Sequence, residues 1–263
     1  MEERNYNTSV NVLGSIPNIN IIIETIKYYN QCQDIKETKE EFVEGNAFGF
    51  NLTSSRKRFF SLIKKLFLKD PEDKANKFFI EAISSDRPDS NFKKAILYLE
   101  VYRKNDLFRD ITRELIYAKY HDNRRLTSTQ EIFDFLLDFG EGTKIVEYSE
   151  STVKTIASKY RGFMKRLGYF EKAEGSKSMI AYPYPSKDWI TYIVYLLKAE
   201  DKKDPEIFNS DMFDAFMLKE DEKIELLKQG SLAGYYDFDL SGDGNATFSL
   251  SYSGEEIIDE LFG

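Results

Sequence analysis

The chain has 263 residues, which is enough for one large domain or two small ones. Apolar residues make up 41% and charged residues 31%, which indicates a folded, soluble protein and argues against a disordered one. The formal net charge of −8, taken alone, argues against a nucleic-acid-binding protein, because affinity for phosphates needs clustered cations.

The chain has one cysteine, Cys32, and one histidine, His121. An internal disulfide is therefore impossible, and a zinc site or a nucleophile–histidine catalytic arrangement is nearly excluded. No basic stretch followed by an apolar run opens the chain, so we expect no signal peptide and a cytoplasmic location. The longest apolar-dominated run, 189–197, is too short to span a bilayer, so we expect no membrane partner.

The first 70 residues predict three short helices. Apolar residues at helical spacing indicate helices at 18–30, 35–44 and 53–68, the first capped by Asn18 and the third by Thr53 or Ser54. A tight connection before the third helix is typical of a helix-turn-helix. We therefore assign 1–70 to an N-terminal module of that kind.

Residues 71–140 form a predicted central helical region. Its helices are expected at 73–83, 90–104, 106–120 and 128–139. Gly140 should stop the last of these helices, and a loop at 140–143 and a short strand at 145–148 should follow.

Residues 141–263 form the predicted C-terminal, winged-helix-like region. A long helix at 150–167, capped by Ser149 or Ser151, ends at Gly168 and precedes a hairpin around Gly175, which is the order that a winged helix needs. The remaining predicted elements are a helix at 186–199, short helices in an acidic stretch at 200–225, a second hairpin at 235–252 and a helix at 254–262. The expected fold class is mainly α with small β-hairpins, a helical bundle that carries helix-turn-helix or winged-helix-like modules.

Two of the predicted helices concentrate positive charge. Residues 51–70 contain six cations and one acidic residue, and residues 152–178 contain seven cations and two acidic residues. The stretch 200–225, by contrast, has four cations and ten acidic residues. The overall acidity therefore conceals two local basic regions.

Helical geometry separates these cations from the apolar residues of the same helices. In the helix at 150–167 the apolar stripe contains Val153, Ile156, Tyr160, Met164 and Leu167. Arg56 lies near the apolar border of its helix, so we expect it to have a structural role. The residues predicted to contact DNA are Lys57, Arg58, Lys64, Lys65, Lys154, Ser158, Lys159, Arg161, Lys165, Arg166 and, at the hairpin turn, Lys177. A solvated amphipathic helix, in which the lysines only confer solubility, is the alternative interpretation.

Other sequence patterns give only weak indications of a metal, phosphate-binding or catalytic site. Asp237, Asp239 and the 241–243 segment resemble the start of an EF-hand calcium loop, but Phe248 stands where the final Glu should be. We therefore interpret this segment as a hairpin turn. The sequence has no glycine motif for phosphate binding and no compact acidic motif of a metal-dependent nuclease. We accordingly expect no catalytic residues, no metal site and no cofactor.

Four segments are similar to the BrxA family, a component of BREX bacteriophage-defence systems. They are TSSRKRFFSLIKKLF at 53–67, AILYLEVYRKNDLFRDITRELI at 95–116, STVKTIASKYRGFMKRLGYF at 151–170 and DEKIELLKQGSLAGYYDFDLSGDGNATFSL at 221–250. The resemblance implies a cytoplasmic, mainly helical protein with helix-turn-helix-like units that binds double-stranded DNA. It also implies defence partners, namely a methyltransferase, an ATPase and an alkaline-phosphatase-like protein.

The leading hypothesis is a DNA-binding accessory subunit, and two alternatives remain. A protein-interaction adaptor would dock other defence subunits without touching DNA, with the acidic stretch at 200–225 facing a basic partner. A transcriptional repressor would use the same basic helices but would bind one site tightly, usually as a dimer.

Overall fold

Helices form most of the chain, as the sequence predicts. The computed structural model describes residues 6, 8–139, 147–242 and 244–262, so the predicted loop at 140–143 and most of the predicted strand at 145–148 lie outside the described residues. The helices are α1 (Ser9–Leu13), α2 (Asn20–Cys32), α3 (Ile35–Lys39), α4 (Thr53–Phe67), α5 (Lys74–Ser84), α6 (Ser90–Lys104), α7 (Asp106–Asp110), α8 (Ala118–His121), α9 (Thr129–Phe139), α10 (Glu150–Leu167), α11 (Lys187–Ala199), α12 (Asp204–Phe208), α13 (Glu220–Leu232) and α14 (Gly254–Phe262).

Segments of π-helix and 3₁₀-helix complete the helical part of the chain. A π-helical turn at Glu40–Glu44 continues α3, and another at Ile111–Tyr117 joins α7 to α8. The helices predicted at 35–44 and 106–120 are therefore present, each with a π-helical part. A 3₁₀-helix covers Asp211–Phe216 within the acidic stretch.

Within the described residues, five short strands form two antiparallel sheets. The first sheet has the order β1 (Leu126–Thr127), β3 (Ser178–Ile180), β2 (Phe170–Lys172), with β3 in the centre. The second is the hairpin of β4 (Tyr236–Leu240) and β5 (Ala246–Leu250). Both predicted hairpins are present, whereas β1 and the short helix α1 were not predicted.

Side-chain caps explain where several helices begin. Asp73, Asp89 and Asn105 each accept a hydrogen bond from a backbone N–H in the first turn of α5, α6 and α7. The expected cap of α4 by Thr53 or Ser54 is wrong. Leu52 holds the cap position in extended backbone, and no side chain accepts an N–H there. This helix start is therefore determined by packing, because α4 contacts α1, α2 and α6.

Buried aromatic side chains connect α6, α7 and α10 at the centre of the molecule. Tyr98 of α6 stacks on Tyr169, with ring centroids 4.1 Å apart. Phe108 of α7 packs on Tyr160 of α10 at 5.1 Å, and the Tyr160 hydroxyl lies 2.9 Å from that of Thr112. These hydrogen-bonded, buried rings fix the position of α10 in the core.

The short helix α1 contacts both basic helices, α4 and α10. It approaches α10 closely at Gly14, where an added Cβ would overlap the carbonyl oxygen and the Cβ of Lys159. Only glycine allows backbone to come this near to another helix without displacing it. At Gly162, one turn further along α10, an added Cβ would meet only Arg166 Nη1, at an ordinary contact distance of 3.6 Å.

This difference predicts opposite effects of the same substitution at two glycines. Gly14→Ala should destabilise the protein by about 1–3 kcal/mol, because α1 must move away from α10. Gly162→Ala, in the interior of α10, should stabilise the protein by up to about 1 kcal/mol. Urea unfolding monitored by circular dichroism measures both changes. Equal shifts of the two midpoints would contradict the close approach of α1 to α10.

Candidate nucleic-acid interface

The segment from α7 to β3 has the element order of a winged helix. The helices from Asp106 to His121 come first, followed by β1, α9, α10 and the β2–β3 hairpin. The strand order β1-β3-β2 places the hairpin beside α10, which also packs against α9. The architecture is thus consistent with the predicted winged helix, in which α10 corresponds to the recognition helix and the hairpin to the wing.

The apolar face of α10 is fully buried. The buried residues are Val153, Ile156, Ala157, Tyr160, Phe163, Met164 and Leu167, which include the whole predicted apolar stripe. Ser149 caps the helix by accepting a hydrogen bond from the N–H of Thr152 at 3.3 Å, as predicted. Gly168 ends it in a left-handed conformation with φ of 91°. Because this face lies in the core, the orientation of α10 about its own axis is fixed.

Cations occupy the outer face of α10 and the wing. Lys154, Ser158 and Lys165 are exposed on the helix, and Lys177 is exposed at the turn of the wing. Lys172 of β2 is also exposed and was not among the predicted contacts. Lys172 follows the buried Phe170 by two residues and lies close to the glycine turn. This spacing is the sequence signal that would have indicated Lys172 as a contact residue.

We call the five cations Lys154, Arg161, Lys165, Lys172 and Lys177 the basic ridge. The positive charges within it influence one another. Slight desolvation, and then the charges of Arg161 and Lys172, lower the pKa of Lys165. An anion bound between these side chains would reverse that effect, because it would favour the charged form of each lysine.

Arg161 joins the three elements of the winged unit. Its Nε donates to Ser178 Oγ of β3 at 3.0 Å, and its Nη1 donates to Thr129 Oγ1 at the start of α9 at 3.2 Å. Ser178 is fully buried, and Arg161 itself is half-buried. Arg161 therefore holds the wing and α9 in position on α10 and is less free to contact a ligand than the sequence suggested.

Lys159 and Arg166, two other predicted contacts, lie on the flank of α10 that faces α1. The backbone of Lys159 meets Gly14, and Arg166 donates to the carbonyl oxygen of Leu13 at 3.5 Å. Burial lowers the pKa of Arg166, and its Nε is buried without a hydrogen-bond acceptor. We therefore leave both residues out of the basic ridge. Sequence alone did not show that a short helix would cover this flank.

The acidic stretch at 200–225 pairs with other parts of the molecule. Glu200 pairs with Arg103 of α6 at 2.5 Å, and Asp211 lies 3.7 Å from Arg113 between α7 and α8. Asp204 pairs with Lys198 of α11 at 2.6 Å. Within the described ranges, no acidic residue of this stretch pairs with a cation of α10. The basic ridge is consequently not neutralised from within the chain.

The second predicted contact helix, α4, also exposes its cations. Lys57, Arg58, Lys64 and Lys65 are exposed, whereas Phe59, Phe60, Leu62, Ile63, Leu66 and Phe67 are buried. Arg56 donates to the carbonyl oxygen of Val43 at 2.5 Å and to Thr53 Oγ1 at 2.7 Å. The structural role expected for Arg56 is therefore confirmed.

The exposed cations of α4 and α10 differ in ion pairing from the cations of several other helices. Ion pairs occupy many cations of α5, α6, α7 and α11, such as Lys77, Arg103 and Arg109. Among the residues that the structure describes, none of the exposed cations of α4 and α10 has a carboxylate within 4 Å. Two helices with free positive charge are thus available to an external anion.

Other candidate sites receive no support from the structure. Asp237 and Asp239 lie on the exposed side of β4, opposite Ser249 and Thr247 of β5, and Asp243 lies outside the described residues. Within the described part of the chain, no group of three or more His, Cys, Asp or Glu side chains is arranged to hold a metal ion. None of the described helices is both long and apolar enough to cross a membrane.

The described chain is mainly helical with two small antiparallel sheets, and its element order from α7 to β3 is consistent with a winged helix. The sequence model of the BrxA family matches residues 21–195, about two-thirds of the chain, and ends within α11. The chain therefore belongs to the BrxA family, which associates it with BREX systems. No curated protein and no solved structure matches it.

The role of Arg161 as a structural clamp predicts a stability difference between two cations of one helix. Arg161→Ala should destabilise the protein by about 1–3 kcal/mol, because the buried Ser178 hydroxyl loses its charged donor. Lys154→Ala removes an exposed, unpaired lysine and should change stability by less than about 0.5 kcal/mol. Urea titrations of both variants provide the comparison. Equal stabilities of the two variants would show that Arg161 does not join the wing to α10.

Proposed function

We propose that this protein is a non-catalytic, cytoplasmic, double-stranded-DNA-binding subunit of a BREX defence system. It would act alongside the methyltransferase, the ATPase and the phosphatase-like protein that such systems contain. The observation that carries the proposal is the basic ridge, a row of cations without acidic partners beside a wing-like hairpin. Clustered, unpaired cations supply the electrostatic part of DNA affinity.

The geometry suits a helix in the major groove. A B-form major groove is about 12 Å wide and admits one α-helix with its side chains. The outer face of α10 would enter it, with Lys154, Ser158 and Lys165 directed at the DNA. The wing, with Lys172 and Lys177, would then contact the sugar–phosphate backbone. Arg161 would set the angle between helix and wing through its two hydrogen bonds.

The residue types favour binding to phosphates over recognition of a sequence. Base-specific contacts come mainly from Arg, Asn and Gln side chains that form two hydrogen bonds to one base. Apart from Glu150 in its first turn, α10 exposes lysines, serines and one threonine instead, and its arginines at 161 and 166 are engaged inside the protein. These features support a weakly sequence-specific DNA-binding subunit rather than a transcriptional repressor.

The helix α4 would provide a second contact. Its exposed cations are separated from the basic ridge by α1, which packs between the two helices. Helices in contact lie about 8–10 Å apart, so two basic helices on either side of a third are within reach of one duplex. The two contacts would then act together on the same DNA molecule.

Replacing two lysines of the ridge should weaken DNA binding in a salt-dependent way. We expect Lys154→Ala/Lys165→Ala to bind a 30-base-pair duplex more weakly and to reduce the slope of log K against log [salt] by about 2 in magnitude. Fluorescence anisotropy between about 50 and 200 mM KCl measures this slope.

Lys202→Ala/Lys203→Ala is the matched control, because it removes two exposed lysines from the acidic stretch. Its slope should equal that of the unaltered protein. If both double variants lose affinity equally, binding depends only on net charge, and the assignment of α10 as the contact helix is wrong.

The contribution of α4 predicts a separate and additive loss. Lys57→Ala/Lys64→Ala should also reduce the magnitude of the salt slope by about 2. Its effect on the free energy of binding should add to that of the α10 variant, because α1 separates the two sites. Unchanged affinity in the folded α4 variant would identify its lysines as merely solvated.

A further inference from the structure

A ladder of aromatic side chains lies at the base of the wing, beyond the end of β3. Tyr182 stacks on Tyr120 with ring centroids 5.8 Å apart, and Tyr184 meets Tyr182 edge to face at 4.9 Å. The guanidinium of Arg125 sits over the Tyr120 ring, 4.6 Å from its centroid. Neither the basic ridge nor α4 uses these residues.

Tyr184 combines an exposed side chain with a left-handed backbone conformation. It is 81% exposed, which is unusual for so large an aromatic side chain. Its φ of 49° lies in the left-handed region, which is disfavoured for a residue other than glycine, and Pro183 and Pro185 restrict the backbone on both sides. Backbone strain of this kind concentrates at binding sites, where the surrounding structure maintains it.

Tyr184 borders a cleft of about 840 Å³ between the wing, the start of α6, the start of α11 and the end of α14. Tyr182, Pro183 and Trp189 also line it, so one wall is aromatic. The cleft is large enough for several residues of an extended peptide.

Exposed apolar residues extend this surface across the outer side of the winged sheet. Leu126 and Met179 are cross-strand neighbours, 45% and 40% exposed, and Glu171 lies next to Met179 on β2. We call Leu126, Met179 and Tyr184 the apolar strip, and Glu171, the cross-strand neighbour of Met179, lines the cleft that Tyr184 borders. A grouped set of exposed apolar side chains is typical of an interaction surface, whereas scattered ones are not.

The charged side chains that line the cleft indicate which kind of ligand it would bind. The charged side chains that line the cleft are the carboxylates Asp89, Glu171, Asp188 and Glu260 and the cations Arg87 and Lys94. Arg87 is already paired with Asp259 at 3.0 Å, and Asp188 with Lys187 at 2.9 Å. The cleft therefore carries an excess of negative charge.

We propose that the cleft and the strip Leu126–Met179–Tyr184 bind an extended, arginine-bearing segment of a partner protein. Guanidinium groups stack on tyrosine faces, as Arg125 does on Tyr120 within this chain, and pair with carboxylates such as Glu171. Proline-containing segments fit aromatic grooves because their extended backbone is already formed. A nucleic-acid strand suits the surface poorly, because the unpaired carboxylates repel phosphates.

A synthetic peptide tests this proposal directly. We expect fluorescein-labelled (Pro-Pro-Arg)₄ to bind the full chain saturably at 150 mM salt, and (Pro-Pro-Glu)₄ not to bind. Tyr184→Ala should weaken binding at least tenfold. Tyr184→Asn, which tolerates the left-handed backbone, should do the same, and Glu171→Gln/Glu260→Gln should weaken it several-fold.

Matched controls lie elsewhere on the surface. Leu232→Ala removes another highly exposed apolar side chain, and Glu225→Gln removes an exposed carboxylate of α13, so neither should change peptide affinity. Absence of peptide binding, or equal losses in Tyr184→Ala and Leu232→Ala, would overturn the proposal. So would binding of single-stranded dT₁₂ that Tyr184→Ala abolishes. Tyr184→Ala should leave duplex-DNA affinity unchanged, so failure of this proposal is distinguishable from failure of the proposed DNA-binding function.

Discussion

Packing of the apolar face of α10 is the constraint on which the rest of the winged unit depends. Tyr160 lies in the core between Phe108 and Phe170, and its hydroxyl meets that of Thr112. Because the helix is held along its length, its outer face has one orientation. Arg161 then holds the wing and α9 in position relative to α10 through two hydrogen bonds.

Ion pairs are unevenly distributed over the described surface. The acidic residues of the C-terminal part find their partners on α5, α6, α7 and α11, and this leaves the cations of α4 and α10 without any among the described residues. Burial, and then the positive charges of Arg161 and Lys172, lower the pKa of Lys165. An anion bound among these cations would relieve the repulsion between them.

Local sequence signals predicted most of the helices, and tertiary contacts account for what they missed. Apolar periodicity and Gly168 located α10, and the alternation around Gly175 located the wing, because both depend on nearby residues. Two other features depend on residues that are far apart in sequence. They are the packing of α1 against Lys159 and Arg166 and the hydrogen bond from Arg161 to Thr129. Periodicity places a side chain on a face of its helix, but it does not show which neighbour occupies that face. Sequence therefore identified the basic helix correctly and could not separate its free cations from its engaged ones.

The placement of charge along the chain has a consequence for how the molecule approaches a partner. Residues 200–263 contain seventeen acidic and five basic residues, so the 199 residues before them carry a net charge of +4 although the whole chain has −8. The acidic residues of this segment repel a polyanion whereas the unpaired cations of α10 and the wing attract it, so the field of a long polyanion exerts a torque on the molecule. The molecule would rotate during diffusion until α10 and the wing face the polyanion. Encounters would be productive more often at low ionic strength, and the advantage would fade as the Debye length shrinks to about 8 Å at physiological salt.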